Sequence, residues 1–243
     1  MKGVILAGGS GTRLHPLTRI TNKHLLPLYD RPMVTYAVEA LVSAGIDELM
    51  LVTGGTHAGE FFRLLGNGHD YGIDRLFYGY QEEAGGIADA LGLAERFVAR
   101  DKVCVLLADN IFERSLQPIV ENFERQPAGG RIVLSEVAED EHLRHLGVAV
   151  MDGDRVAEIV EKPESPPSRF AVTGIYFYDA QVWEVLPTLA PSGRGELEIT
   201  DVNNWYVGRG EMEADVVDGF WGDAGESIEA YYEVNDFVRA ARG

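Results

Sequence analysis

Apolar strand segments alternate with amphipathic helices through the first 110 residues, and this order constrains the fold more than any other feature of the chain. Strands are predicted at 4–6, 48–53, 75–81 and 103–107, and helices at 32–44, 59–65 and 87–98. Successive strands joined through helices require right-handed crossovers, and therefore a parallel sheet. We expect an α/β fold with a mostly parallel central sheet flanked by helices.

The second half of the chain has closely spaced strands and fewer helices. Strands are predicted at 132–137, 147–151, 155–160, 171–178 and 212–217, helices at 181–186, 199–207 and 227–240, and a loop at 219–225. The short turn at 152–154 favours a hairpin, so we expect a smaller antiparallel part. No linker divides the chain, and we expect a single domain over 1–243.

The first strand ends in a glycine-rich loop, VILAGGSGTR at 4–13. Glycines let backbone N–H groups approach an anion or a flat base, and Arg13 adds a forked donor suited to phosphate. A P-loop would need Gly-Lys-Ser/Thr, and a dinucleotide fingerprint would need a third glycine where Leu14 stands, so neither motif fits. A tight turn with a solvated arginine is the alternative.

Charge restricts the kinds of partner. The chain has 21 Lys and Arg against 39 Asp and Glu, a net charge of −18, which argues against nucleic acid or an anionic membrane as partner. No apolar run approaches the ~18 residues of a membrane span, and without a targeting segment we expect a cytoplasmic protein. The one cysteine, Cys104, lies in a strand-like run and is predicted to be a buried, inert thiol.

Several polar residues fall where parallel strands end, which is where ligands bind in such sheets. Asp109 follows an apolar strand and Asp223 lies in a glycine-rich loop, and two such carboxylates suit Mg²⁺. A helix cap and a turn are the alternative interpretations of these two residues. Lys23 and Lys162, each of which could be an ordinary surface lysine, would join Arg13 as cations for phosphate.

Seven motifs occur in an order that resembles a known family: LAGGSGTRLHPLT, NKHLLP, LADN, EKP, VTGIYFYD, RGELEITDVNNWY and WGDAG. Together they resemble the sugar-phosphate nucleotidyltransferases over nearly the whole chain, and RGELEITDVN resembles their thymidylyltransferase branch. The resemblance implies a Rossmann-like nucleotidyltransferase fold, with a nucleotide-binding half at 1–110, a sugar-phosphate-binding half at 130–225 and a C-terminal helix at 226–243. It implies that dTTP and glucose 1-phosphate give dTDP-glucose and pyrophosphate with Mg²⁺, in a homo-oligomer.

The resemblance also implies roles for individual residues. Those implied to bind nucleotide are Leu6, Ala7, Gly8, Gly9, Ser10, Gly11, Thr12, Gln81, Gly86 and Asp109. Those implied to bind the sugar phosphate are Gly147, Glu161, Lys162, Thr173 and Gly174. Those implied to be catalytic are Arg13, Lys23, Asp109 and Lys162, and those implied to hold the metal are Asp109 and Asp223.

The sequence departs from the family pattern at four positions: Ala108 stands where glycine is usual, Asp89 where an amide is common, Leu146 where an aromatic residue is common and Glu226 where threonine is common. Asp89 and Leu146 bear on the sugar and base preferences. Three other functions are weighed: the same chemistry with UTP or another sugar phosphate, a non-catalytic sugar-nucleotide regulator, and an NAD-linked oxidoreductase. The failed fingerprint weakens the last of these. The chain resembles the short members of the family, so we do not expect feedback control through a C-terminal extension.

Overall fold

The computed structural model describes residues 1–9, 11–153 and 155–242. The strands are β1 (Lys2–Ala7), β2 (Pro27–Leu28), β3 (Arg31–Pro32), β4 (Glu48–Gly54), β5 (Arg75–Gln81), β6 (Val103–Leu107), β7 (Asn110–Phe112), β8 (Gly130–Glu136), β9 (Gly147–Asp152), β10 (Arg155–Glu161), β11 (Phe170–Tyr178), β12 (Met212–Val216) and β13 (Trp221–Asp223). The helices are α1 (Val34–Ser43), α2 (Ala58–Leu65), α3 (Ile87–Gly92), α4 (Glu95–Val98), α5 (Gln117–Arg125), α6 (Asp140–Leu143), α7 (Val182–Val185), α8 (Ile199–Gly208) and α9 (Ile228–Arg242).

A parallel core of four strands confirms the first expectation from the sequence. β1 pairs in parallel with β4 on one side and with β6 on the other, and β5 pairs in parallel with β4. After β1 the chain therefore builds β4 and β5 toward one edge of the sheet, and it then returns to place β6 on the other side of β1. The carboxyl ends of β1 and β6 lie at this reversal, which is where open α/β sheets bind their ligands.

β11 joins the parallel core to an antiparallel part, as the sequence predicts. Its residues 175–178 pair with β6 and its residues 170–171 pair with β9, while β8 pairs along its opposite edge. β10 forms a hairpin with β9, and β12 extends the sheet beyond β8. Because β6 and β9 share one edge of β11, residues 172–174 lie in the gap between them.

The sheet is packed on both faces. In β1, Ile5 and Ala7 are buried against a cluster that includes residues of α1, α2 and α5. Val4 and Leu6 point to the opposite cluster, which includes residues of α3, α7 and α8. Each strand of a sheet covered on both faces must be apolar at consecutive positions, which explains why β1 and β6 are unbroken apolar runs.

Most predicted elements are present within a residue or two of their expected bounds, and three differences stand out. The helix predicted at 87–98 is two helices, since the Ala94 N–H bonds to the Leu91 carbonyl and ends the regular α-helical pattern. The loop predicted at 219–225 contains β13, which pairs with β7. The sequence interpretation did not predict α5. In the described parts of the chain, no helix is long and apolar enough to span a bilayer.

Candidate active site

A cleft opens beyond the carboxyl ends of β1, β5 and β6, and it holds a cavity of about 290 Å³. The start of β9, the end of β10 and the middle of β11 form its other side. Most residues predicted to form a site line this cavity: Leu6, Gly8, Gly9, Arg13, Lys23, Gln81, Gly86, Asp109, Gly147, Glu161, Lys162, Gly174 and Asp223. Segments separated by more than 200 residues therefore meet at one place.

Four other predicted residues are not among those lining the cavity: Ala7, Gly11, Thr12 and Thr173. Ala7 is fully buried, Gly11 is half-buried and Thr12 is exposed. Thr173 is also fully buried, and its hydroxyl donates to the Val133 carbonyl at 2.9 Å. The Thr173 hydroxyl therefore serves the sheet, and the assignment of Thr173 to the sugar-phosphate pocket stays a prediction. Ser10 lies outside the described residues.

Asp109 and Asp223 are brought together by two strands of three residues each. β7 follows Asp109 directly, and it pairs antiparallel with β13 so that Asn110 is opposite Asp223. The Ala224 N–H donates to the Asp109 carbonyl at 2.9 Å, which fixes the two strand ends against each other. The two carboxylates consequently face the same part of the cleft although they are far apart in sequence.

Lys23 and His24 lie against Asp109. The Lys23 ammonium donates to Oδ2 of Asp109, and Nε2 of the buried His24 is 3.7 Å from the same oxygen. Burial would raise the pKa of Asp109, but the Lys23 ammonium and the His24 imidazole hold it well below its usual range. Burial would lower the pKa of Lys23, yet the two carboxylates outweigh it and raise that pKa. Lys23 and Asp109 are therefore both charged at neutral pH.

Asp223 differs from Asp109 in its protonation. Burial and the neighbouring charge of Asp109 raise the pKa of Asp223 to about 7. Two carboxylates crowded in this way favour a divalent cation, and Mg²⁺ suits them because it commonly takes one or two carboxylates together with waters and substrate phosphates. In the described part of the chain, no group of three or more His, Cys, Asp and Glu side chains could hold a metal. Two carboxylates alone would suit a divalent cation that takes its other ligands from waters or a substrate.

Asn110 connects the carboxylate side of the cleft to β11. Its Oδ1 accepts hydrogen bonds from the Gly174 N–H and from the Trp221 indole, both at 2.8 Å. Its Nδ2 is 3.2 Å from Oδ1 of Asp109 and donates to it. A Cβ at Gly174 would lie 2.5 Å from Nδ2 of Asn110, so only glycine lets β11 approach this closely. Asn110 therefore orients Asp109 and fixes the middle of β11 beside it.

The opposite side of the cleft carries a cluster of paired charges. Glu161 accepts from the Thr200 hydroxyl at 2.6 Å and lies 3.6 Å from the Lys162 ammonium. Arg194 reaches Glu161 at 3.4 Å and Glu198 at 2.8 Å. Lys162 has a positive φ of 46°, unusual for a residue with a side chain, at the point where the chain leaves β10. The cluster presents two cations to the cavity beside a fixed carboxylate.

The comparison with protein families decides the family. The model of the nucleotidyl transferase family matches residues 2–241, which is nearly the entire chain. The chain belongs to the nucleotidyl transferase family.

Curated nucleotidyl transferases resemble this chain from end to end. A protein of Neisseria meningitidis serogroup A named glucose-1-phosphate thymidylyltransferase is 40% identical over 245 residues, covering 100% of this chain and 84% of the relative. A protein of the same name from Mycolicibacterium smegmatis is 41% identical, covering 98% of this chain and 82% of the relative. The similarity therefore includes every segment that lines the cleft.

Solved structures agree with this family assignment. A Bacillus anthracis protein assigned as a glucose-1-phosphate thymidylyltransferase, crystallised with sucrose, is 45% identical with a TM-score of 0.93, covering 98% of this chain and 95% of that one. A UDP-glucose pyrophosphorylase in complex with UDP-glucose is 26% identical with a TM-score of 0.82, covering 98% of both chains. The nucleotidyl transferase fold is thus shared by enzymes named for different nucleotides.

Sequence reasoning missed several polar residues of this nucleotidyl transferase cleft, among them Asn110, Arg194 and Glu198. Arg194 and Glu198 lie within the motif RGELEITDVN, which was singled out as a whole without assigning a role to either residue. Asn110 follows Asp109 in LADN and would have been a natural partner for it. Arg194 and Asn110 could not be placed without knowing which strand ends meet, because Glu161, Gly174 and Trp221 are 33 to 111 residues distant from them along the chain.

Proposed function

We propose that this chain transfers a deoxythymidylyl group from dTTP to glucose 1-phosphate, forming dTDP-glucose and pyrophosphate. The observation that carries the proposal is a single cleft with two carboxylates and cations on both sides, in a chain 40% identical to proteins named for this reaction. Because the whole protein has a net charge of −18, a cavity lined by Arg13, Lys23, Lys162 and Arg194 is a place suited to an anionic ligand.

The nucleotide is proposed to occupy the side of the cleft formed by residues 1–110. Backbone groups of Gly8 and Gly9 would lie against the nucleotide, and Gln81 with Gly86 would meet the base. Arg13 and Lys23 would contact the phosphates. Arg13 is exposed and Lys23 is anchored on Asp109, so Arg13 is free to follow the leaving pyrophosphate while Lys23 stays in place.

The sugar phosphate is proposed to bind between β10 and β11, within residues 130–225. Gly147 and Gly174 leave space for the sugar, and Glu161, held by Thr200, would accept hydrogen bonds from its hydroxyls. Lys162 and Arg194 would hold the attacking phosphate, with the forked guanidinium of Arg194 suited to two of its oxygens. This pair would offset the repulsion between two anions.

The reaction then depends on position and charge. A phosphate oxygen of the sugar attacks the α-phosphorus of the nucleotide in line while pyrophosphate leaves, and the enzyme forms no covalent intermediate. Mg²⁺ bound at Asp109 and Asp223 would supply a positive charge shared by the nucleotide and the attacking phosphate. Arg13 would stabilise the charge that develops on the leaving group, and Lys162 with Arg194 would hold the attacking oxygen at the required distance.

The same chemistry with UTP is a second candidate, favoured by the structural similarity to a UDP-glucose pyrophosphorylase. Uracil lacks one methyl group of thymine, and UTP carries an additional 2′-hydroxyl. Contacts worth about 1–3 kcal/mol separate analogues of this kind, so both nucleotides could be substrates at different rates.

Pyrophosphate release, measured with a panel of nucleoside triphosphates and sugar 1-phosphates, tests the proposal. We expect the highest kcat/KM with dTTP and glucose 1-phosphate, and loss of turnover when EDTA removes Mg²⁺. A purified, folded enzyme that releases no pyrophosphate with any pair would contradict catalysis and favour a regulatory binding protein. A higher kcat/KM with UTP would replace the first candidate by the second.

A further inference from the structure

We propose that Asp89 is a positioning residue that fixes the Gln81 amide so that only its oxygen is available to the base. The inference rests on the proposed function, since it assumes that Gln81 meets the base of a nucleotide.

The amide nitrogen of Gln81 has two acceptors beside it. Gln81 ends β5 and is 8% exposed. Its Nε2 donates to Oδ2 of Asp89 at 2.7 Å and to the Gly86 carbonyl at 3.2 Å. Gly85 makes room for this carboxylate, because a Cβ at that position would lie 2.7 Å from Oδ2 of Asp89.

These two contacts determine which way the amide faces. An ionised carboxylate and a backbone carbonyl can only accept hydrogen bonds, and an amide nitrogen carries two hydrogens. Both hydrogens of Gln81 are therefore used within the protein. Rotating the amide by 180° would set its oxygen against two other oxygens, at 2.7 and 3.2 Å, with no hydrogen between them.

The remaining oxygen of Gln81 faces the glycine loop. A Cβ built on Gly8 would lie 3.2 Å from Oε1 of Gln81, so this oxygen lies directly against the loop. Gly8, Gln81 and Gly86 all line the cavity. A base bound beside this oxygen therefore meets a hydrogen-bond acceptor, because the Gln81 amide cannot rotate to present its nitrogen as a donor.

A fixed acceptor selects among pyrimidines. Thymine and uracil carry an N–H at ring position 3, whereas the same nitrogen of cytosine is an acceptor with no hydrogen. A cytosine nucleotide in the same pose would set a lone pair against Oε1 of Gln81. We expect the protein to bind dUTP more tightly than dCTP by on the order of a hundredfold. Neither dUTP nor dCTP carries the methyl group of thymine. The comparison therefore reports only on the hydrogen-bonding edge of the base.

The experiment measures the dissociation constants of dUTP and dCTP by calorimetry, with the full chain and Mg²⁺. It compares the unaltered protein with three variants. In Asp89→Ala only the Gly86 carbonyl holds the amide, and the preference for dUTP should fall about tenfold or more. In Asp89→Asn the side chain keeps an oxygen that can accept, and the preference should remain within about threefold of the original. Glu95→Ala, which removes an exposed carboxylate from α4, should leave it unchanged.

The outcomes separate this inference from the proposed function. Equal affinity of the unaltered protein for dUTP and dCTP would overturn the role of Asp89, even if dTDP-glucose is formed. An Asp89→Ala variant that binds both nucleotides more weakly by the same factor would show a merely structural role and would also overturn it. A strong dUTP preference that Asp89→Ala reduces, in a protein that releases no pyrophosphate, would support the fixed amide and reject the reaction.

Discussion

Gly225 tests how closely the side chains of Lys23 and Asp109 are packed beside the proposed metal site. A Cβ at this position would lie 2.2 Å from Oδ2 of Asp109 and 2.7 Å from Nζ of Lys23, whereas ordinary contacts begin near 3.4 Å. In Gly225→Ala the Asp109 carboxylate must move by about 1 Å, and Lys23 must move with it. The φ of Gly225 lies outside the left-handed region, so the effect comes from the added methyl group and not from backbone strain.

The size of the effect follows from this displacement. A shift of about 1 Å in a group that positions reactants can cost about a hundredfold in rate, which corresponds to about 2.7 kcal/mol of transition-state stabilisation. Crowding of Asp109 and Lys23 by the added methyl group should lower the free energy of unfolding by about 1–3 kcal/mol. We therefore expect Gly225→Ala to stay folded at 25 °C while its kcat falls by about two orders of magnitude.

Steady-state pyrophosphate release gives kcat for the variant, and thermal unfolding shows whether it is folded. Gly59→Ala is the matched control, since a Cβ at Gly59 in α2 meets nothing within 4 Å. That substitution should leave kcat unchanged and stabilise the helix by about 0.5–1 kcal/mol. A Gly225→Ala enzyme with kcat within threefold of the original would refute the reasoning, because catalysis would then tolerate the displacement of Asp109.

Three further predictions concern charge. Arg13→Ala should lower kcat about a hundredfold without changing the melting temperature, because Arg13 is exposed; near-normal turnover would exclude it from the reaction. The pKa of Asp223 is raised from 3.8 to about 7, so the metal-free protein should lose stability as pH rises from about 4 to about 7. Mg²⁺ should raise the melting temperature more at pH 8 than at pH 6, because Asp223 is ionised at the higher pH. Nε2 of His142 lies 2.6 Å from Oε2 of Glu226, and this contact raises the pKa of His142 above 6.5. The pair therefore stabilises the fold below pH 6.5, and the stabilisation is lost as pH rises through the pKa of the folded state. Glu226→Gln should accordingly lower the melting temperature at pH 5.5 and have little effect at pH 9; an equal change at both pH values would disprove the pairing.

Local signals in the sequence were sufficient for the parallel core. β1, β4, β5 and β6 are short apolar runs separated by helical patterns, and this order by itself requires a parallel sheet whose carboxyl ends share one edge. The glycine loop could be placed because glycines followed by an arginine, at the end of a buried strand, favour a turn that binds an anion. The same logic placed Gln81 and Asp109 at the same edge, and the structure places both beside the cavity.

Short-range patterns could not predict the parts that depend on distant pairing. β7 and β13 are three residues each, too short to show a strand period, yet their pairing sets Asp109 beside Asp223. The helix at 117–125 was missed, and the helix predicted at 87–98 proved to be two. Thr173 was assigned to the sugar pocket by its motif, and only the register of β11 against β8 shows its hydroxyl turned to Val133.

By itself, the sequence determined the class of fold, the edge of the sheet that carries the cleft and fewer than half of the residues that line it. Only the tertiary structure decided which charges neutralise each other and which polar groups pair: Lys23 with Asp109, Arg194 with Glu161 and Glu198, and Gln81 with Asp89. The physical reason is that burial and charge pairing set the protonation and orientation of a side chain, and both depend on neighbours contributed by distant segments. A motif states which groups are available, whereas packing determines which of their atoms remain free to meet a substrate.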